Sequence, residues 1–360
     1  MSAMIFFLVR TQYENTGDLA INRECIKLLR QRGVLHVNVS GVPDAFVNGL
    51  QLYPQEIVSP KTFWANLIFQ SLRGLSVYLF LVPGGLGGYD YPYRPLKELL
   101  FRFVYASLRK IGVRIIRLGC SFSPVLPSIE IPFRKRHESI DFIGLRDSTS
   151  LAYARALGLE NVGFFPDFAF MLEPVAGEEA EGSYAVLSFR SRDATEAAII
   201  TATVQKFLQM VDRGRKLSVV IAVQVEFDRS FAKDLASVLS SDRQVSLTAP
   251  ETEIDKFIAI YQGADWLLSN RLHVLIFGLI GNANTVALTN YDRDQKIIGM
   301  FEDLEIAERL IAQDGSNLSN VTELSVAPNP RAIIRMKDGA GQLLDRILIS
   351  DWERPWEHSH

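Results

Sequence analysis

The chain of 360 residues is 48% hydrophobic and 22% charged, a composition that gives a globular protein with room for two cores and excludes intrinsic disorder. Its formal charge of −3 conceals an asymmetry: residues 1–172 hold 19 Lys and Arg against 13 Asp and Glu, a net +6, whereas residues 173–360 hold 19 against 28, a net −9. So mild a basic half, with no zinc-finger, recognition-helix or aromatic RNA-binding signature, argues against a nucleic-acid partner. The two cysteines, Cys25 and Cys120, have no CxxC spacing and no His partner, which excludes a disulfide framework and a zinc site.

Residues 4–9 form an apolar run too short for a secretory signal and without its basic flank and cleavage site; they read as a first buried strand. The loop beyond holds Asn15, Gly17 and Asp18 and opens a helical pattern through Ile21, Cys25, Leu28 and Leu29. Gly17 supplies the permissive backbone at the turn. Asp18 reads equally as a carboxylate favoured by the helix dipole or as a functional group at the carboxyl edge of a parallel sheet, where such sheets bind ligands. Strands follow at 34–39 and 77–82. The second runs into a glycine-rich loop, Pro83-Gly84-Gly85-Leu86-Gly87-Gly88, that ends in Tyr89 and Asp90. This is neither the dinucleotide nor the P-loop pattern, but it lets backbone amides approach a ligand, with Asp90 as a second edge carboxylate.

Between those strands residues 60–75 carry Phe63, Trp64, Leu67, Ile68 and Leu72 at helical spacing. Residues 95–111 repeat the pattern with Leu96, Leu99, Leu100, Phe103 and Leu108, opposite Lys97, Arg102, Arg109 and Lys110. Such stripes predict core-facing helices with solvated backs. The basic back also suits a protein resting on anionic lipid at the inner face of the membrane. A strand at 113–118, another over 140–145 that leads into Arg146 and Asp147, and a capped helix at 151–157 complete the half. Arg146 and Asp147 read as pairing with each other. Residues 173–182, acidic, glycine-containing and aperiodic, read as a linker.

The second half restarts the alternation with a strand at 184–189 that ends at Arg190. Helices at 194–212, 231–239 and 253–263 then alternate with strands at 217–223, 245–247 and 265–268. After the last of these comes Ser269-Asn270-Arg271-Leu272-His273, followed by an apolar run that opens a helix, with Ser269 or Asn270 expected to cap it. A guanidinium and an imidazole at a helix mouth, beside unpaired N–H groups, make an anion site; the plainer reading is an Arg in a salt bridge and a His in the core. The pattern predicts an α/β protein of two doubly wound Rossmann-like domains facing a cleft, over residues 1–172 and 183–335, with a tail at 336–360 packing back on them. No apolar stretch reaches the ~20 residues that span a bilayer, so a cytoplasmic protein is expected.

Asn15-x-Gly17-Asp18, the glycine-rich loop ending in Asp90, Arg146-Asp147-x-x-Ser150, Pro166-Asp167, Ser188-x-Arg190 and Arg271-Leu272-His273 together resemble the polysaccharide pyruvyl transferase family in order and spacing, over nearly the whole chain. The resemblance implies a GT-B-like fold and transfer of the enolpyruvyl carbons of phosphoenolpyruvate to a sugar diol, forming a pyruvate ketal and releasing phosphate. It places Arg190, Arg271, Leu272 and His273 at phosphoenolpyruvate. Catalysis falls to His273, Asp90 and Asp18, and Asn15, Gly17, Tyr89 and Arg146 fall at a glycan or lipid-linked sugar acceptor. No cofactor beyond the donor substrate and no metal ion is expected. The residue chemistry agrees, because two planar guanidinium forks suit a small frame bearing phosphate and carboxylate. His273 is a candidate acid, and Asp18 or Asp90 a candidate base for the hydroxyl. The alternative is a GT-B glycosyltransferase whose Arg271 holds the diphosphate of a nucleotide-sugar.

Overall fold

Two all-parallel sheets, one in each half of the chain, organise a computed structural model that describes residues 3–86, 94–174, 183–212, 216–249, 253–323 and 330–348. The first sheet is built from β1 (Ala3–Leu8), β2 (Gly33–Asn38), β3 (Val77–Leu81), β4 (Gly84–Leu86), β5 (Val113–Phe122), β6 (Phe142–Leu145) and β7 (Val162–Phe164). Its order is β2-β1-β3-β5-β6-β7, with β4 pairing β5. The connecting helices are α1 (Thr16–Arg30), α2 (Asp44–Gly49), α3 (Pro60–Leu72), α4 (Arg94–Lys110), α5 (Pro127–His137) and α6 (Ser148–Ala156). Strands covered on both faces read as continuous apolar runs, as Ile5, Phe6 and Phe7 do, all fully buried.

The second sheet, in the order β10-β9-β8-β11-β12-β13, holds β8 (Tyr184–Ser188), β9 (Ser218–Ile221), β10 (Val245–Leu247), β11 (Trp266–Ser269), β12 (Asn284–Thr289) and β13 (Leu310–Ala312). Its helices are α7 (Ala194–Val211), α8 (Arg229–Leu239), α9 (Ile254–Gln262), α10 (Leu272–Ile280) and α11 (Gln295–Asp303), and α12 (Pro330–Leu348) ends the described chain. Because each sheet is parallel, all its strands end at one edge, where ligands of such sheets bind.

Contacts divide the chain into two units at Phe168 and Ala169, but not by a single cut. The stretch Gln12–Ala20 belongs with the second unit, and the chain from Arg335 onward belongs with the first. Most of the acidic segment read as a linker, residues 175–182, lies outside the described residues, as do Tyr89 and Asp90.

One expectation fails in part: Leu108, Phe63 and Leu67 are buried as the helical spacing predicts, but the rest of both stripes is not. On α4, Leu96, Leu99, Leu100 and Phe103 are exposed, and the inward face carries Arg94, Glu98, Tyr105 and Leu108. The reason lies on α5. Arg136 Nη1 donates to Glu98 Oε2 at 3.0 Å, and its guanidinium sits 4.5 Å from the centre of the Phe101 ring. Arg94 Nε lies 3.7 Å from Glu98 Oε1. A buried carboxylate needs such partners, and providing them turns the leucine stripe outward. On α3 the inward residues are Phe63 and Leu67, while Trp64, Ile68 and Leu72 face out.

Candidate anion site at the strand ends of the second unit

Strand register sets this site. In the β8–β11 pair Ser188 stands opposite Ser269, so Arg190 and Arg271 each lie two residues beyond neighbouring strand ends. Ser269 Oγ donates to the Ser188 carbonyl at 2.6 Å and accepts from the Arg271 N–H at 2.9 Å. Asn270 continues the strand pairing with its side chain, donating to the Arg190 carbonyl and accepting from the Arg190 N–H, both at 2.8 Å. Neither Ser269 nor Asn270 caps the helix as expected. The N-cap is Arg271, without a side-chain cap bond, and the two polar residues instead fasten the strand ends together.

The opening turn of α10 presents backbone N–H groups that no helical carbonyl accepts. Leu272 is half-buried and His273 is buried in that turn. The Arg271 guanidinium pairs with Asp228, and Arg190 reaches the same carboxylate electrostatically while its guanidinium sits 5.7 Å from the centre of the Phe227 ring. Burial pushes the Asp228 carboxyl above the usual carboxylate range, against the pull of Arg271 and then Arg190. The same burial lowers Arg271, opposed by Asp228, yet a guanidinium stays protonated at physiological pH. Arg271 Nε and Asp228 Oδ1 have no hydrogen-bond partner among the described residues, which leaves both with bonding capacity for a polar ligand.

The loop from β1 completes the site. Asn15 forms an antiparallel bridge with Val225, and its Oδ1 accepts from Gln224 Nε2 at 3.1 Å and from the Gly17 N–H at 2.9 Å. Asn15 Nδ2 donates to Asp18 Oδ1 at 3.1 Å, and Asp18 Oδ2 accepts the Gln12 N–H at 3.1 Å. Gly17 is required by space, since a Cβ there would overlap His273 Nδ1 and Gln224 Nε2. The structure thus brings Asn15, Gly17, Asp18, Arg190, Arg271, Leu272 and His273 into one unit.

Arg146 is placed elsewhere. Its guanidinium pairs with Asp167, not with Asp147 as the sequence suggested, and its Nε donates to Ser121 Oγ at 2.6 Å. Asp147 instead caps α6, accepting the Ser150 N–H at 2.7 Å. The Arg146-Asp147-x-x-Ser150 and Pro166-Asp167 motifs therefore form a buried polar network at the carboxyl edge of the first sheet, and Arg146, expected at the acceptor, is enclosed in it. Asp228, Gln224 and Phe227 were missed by the sequence analysis, whereas Asn270 was named there as a helix cap and not as the strand-end fastener it is. No local signal marks any of the three missed residues.

The family model for polysaccharide pyruvyl transferase matches residues 15–293, a span that opens on Asn15 and takes in every second-unit residue just described. No curated protein matches the chain. Solved structures do. A co-structure of S. aureus MnaA with UDP aligns with a TM-score of 0.57 at 13% identity, covering 98% of this chain and 99% of that one. A putative UDP-N-acetylglucosamine 2-epimerase from Listeria monocytogenes gives 0.59 at 9% identity, covering 98% of each chain. Anabaena HepE in complex with UDP and glucose gives 0.58 at 10%, covering 96% of this chain and all of that one. At such identities the likeness carries the fold alone, a GT-B-like pair of Rossmann domains.

Proposed function

The chain belongs to the polysaccharide pyruvyl transferase family, and from that premise we propose that it transfers pyruvate from phosphoenolpyruvate to two hydroxyls of one sugar in a glycan or lipid-linked precursor. The observation that carries this reading is the pair Arg190 and Arg271 just beyond adjacent strand ends, with Arg271 paired to Asp228. A three-carbon donor with phosphate at one end and carboxylate at the other needs two cations at fixed spacing, and the N–H groups opening α10 add a further anion-binding element.

In the proposed reaction one sugar hydroxyl adds to C2 of phosphoenolpyruvate and its proton leaves to a base, while the methylene carbon gains a proton and becomes a methyl group. The neighbouring hydroxyl then attacks C2, the bond from C2 to the phosphate oxygen breaks, and the proton this hydroxyl loses leaves on the departing phosphate as the ketal closes. His273 is the proton donor in this scheme, and Asp18 or Asp90 takes the hydroxyl proton. Asp228 competes with the donor for the Arg271 guanidinium, and its burial, which pushes its carboxyl above the usual carboxylate range, weakens that hold.

A second reading, a glycosyltransferase using a nucleotide-sugar, is favoured by the UDP held in structures of the same fold. One experiment separates the two: incubation with phosphoenolpyruvate and galactosyl, glucosyl and mannosaminyl acceptors, following phosphate release and ketal mass, beside thermal shifts with phosphoenolpyruvate and UDP. Arg271→Ala is expected to lower kcat/KM at least ~100-fold, the scale for losing a charged transition-state contact. Turnover within twofold of wild type in that variant, or stabilisation by UDP and not by phosphoenolpyruvate, overturns the proposal.

A further inference from the structure

We propose that the outer faces of α3 and α4 form a docking surface for an anionic lipid bilayer. This does not rest on the pyruvyl-transfer reading, and the two fail separately.

On α4, Leu96, Leu99, Leu100 and Phe103 are 68, 44, 60 and 71% exposed, and their spacing places them on one face. On α3, Ile68, Phe69 and Leu72 are 41, 55 and 67% exposed, with Trp64 beside them. The helices are neighbours on one face of the first sheet. Phe63 and Leu67 share a core cluster with Tyr105 and Leu108, and Ser71 Oγ donates to the Ile111 carbonyl at 2.5 Å. Each helix thus presents a cluster of neighbouring exposed apolar side chains, unlike the scattered single residues of an ordinary surface.

Charge decides what covers it. The exposed charged side chains of the two helices and their ends are all basic: Lys61, Arg73, Lys97, Arg102, Arg109 and Lys110. Of these Arg109 pairs with Asp141 at 2.8 Å, and Lys97 too has an interaction within the chain, while each stays exposed. The single carboxylate in either helix, Glu98, is buried on Arg136. A second copy of the chain docking through the same patch would set these cations against their own counterparts, whereas anionic headgroups neutralise them as the leucine and aromatic side chains enter the acyl boundary. Trp64, with an amphipathic ring, suits the headgroup level. No helix among the described residues is long and apolar enough to cross a membrane, so this attachment lies in the interface plane.

The test is sedimentation of the full chain with vesicles of phosphatidylcholine alone or mixed with phosphatidylglycerol, at low and high salt. Binding is expected to the mixed vesicles and to fall at least ~10-fold in high salt as the headgroup field is screened. The double variant Leu100→Glu, Phe103→Glu is expected to lose it, and Lys97→Glu, Arg102→Glu to weaken it ~10-fold or more. Both changes are on exposed positions, so circular dichroism and phosphate release with a short soluble acceptor should stay at wild-type values. No wild-type binding to the mixed vesicles, binding retained by the Leu100, Phe103 variant, or a solution dimer that this variant dissolves would each overturn the proposal.

Discussion

Helices α10 and α4 carry similar runs of large apolar residues and meet opposite fates. From His273 to Ile280 every residue of α10 is buried, because the helix lies on β11 and β12 and is roofed by α9, whose Phe257 and Tyr261 rings stand 5.9 and 5.8 Å from that of Phe277. In α4 Leu96, Leu99 and Leu100 face out and a carboxylate faces in. A periodic pattern thus tells that a helix has two unlike faces, but which face turns inward depends on the neighbour, and here the neighbour is Arg136.

The comparison breaks most sharply at Glu98. If the buried ionic cluster orients α4, Glu98→Ala, which strands Arg136, should cost ~3–5 kcal/mol. Leu96→Ala on the outer face should cost no more than about 0.5 kcal/mol. Urea unfolding of both variants checks this, and equal losses would mean that α4 is held by its leucines after all. Next in size is the seat of α10, where a Cβ at Gly278 would come within 2.6 Å of Thr285 Oγ1 and 2.7 Å of Leu267 Cδ1. Gly278→Val should cost ~1–3 kcal/mol by overpacking, with phosphate release falling as Arg271 and His273 are displaced.

The smallest effect concerns His137, beside the α4 cluster. Its Nδ1 lies 2.7 Å from the Phe133 carbonyl and its ring packs on Phe133 and Phe122. Burial, with Arg136 and Arg117 adding, holds its pKa well below the ordinary histidine value. The folded form refuses a proton that the unfolded chain accepts, so this stability is complete above about pH 6.5 and is lost at ~1.4 kcal/mol per unit as pH falls below it. His137→Gln should flatten that slope between pH 7.5 and 5.5 in urea titrations, leaving the weaker contribution of His36, which burial lowers in the same sense.

Most of the fold was legible because strands buried on both faces announce themselves. The segment read as a strand at 245–247 is β10 to the residue, and the Arg271-Leu272-His273 turn falls where strand gives way to helix. α5 was not foreseen, since Pro132 interrupts its sequence and its basic end, Arg134 to His137, hides the buried Ile129 and Phe133. At the candidate site, Arg190 and Arg271 were visible as cations at strand ends. Asp228 was not, because nothing local marks an aspartate 43 residues from Arg271 as its partner. Arg146 shows the converse: a motif can be conspicuous for holding the scaffold together.

The assignment of Gln12–Ala20 to the second unit bears on how the chain is made. Asn15 leaves the ribosome 209 residues ahead of Gln224, the side chain it will bond, so this short stretch must wait through most of translation before its destination exists. A gene split near codon 169 would yield two polypeptides, one carrying Asn15 and Gly17 and the other Arg190, Arg271 and His273, and the second would lack the loop that completes the anion site until it captured the first.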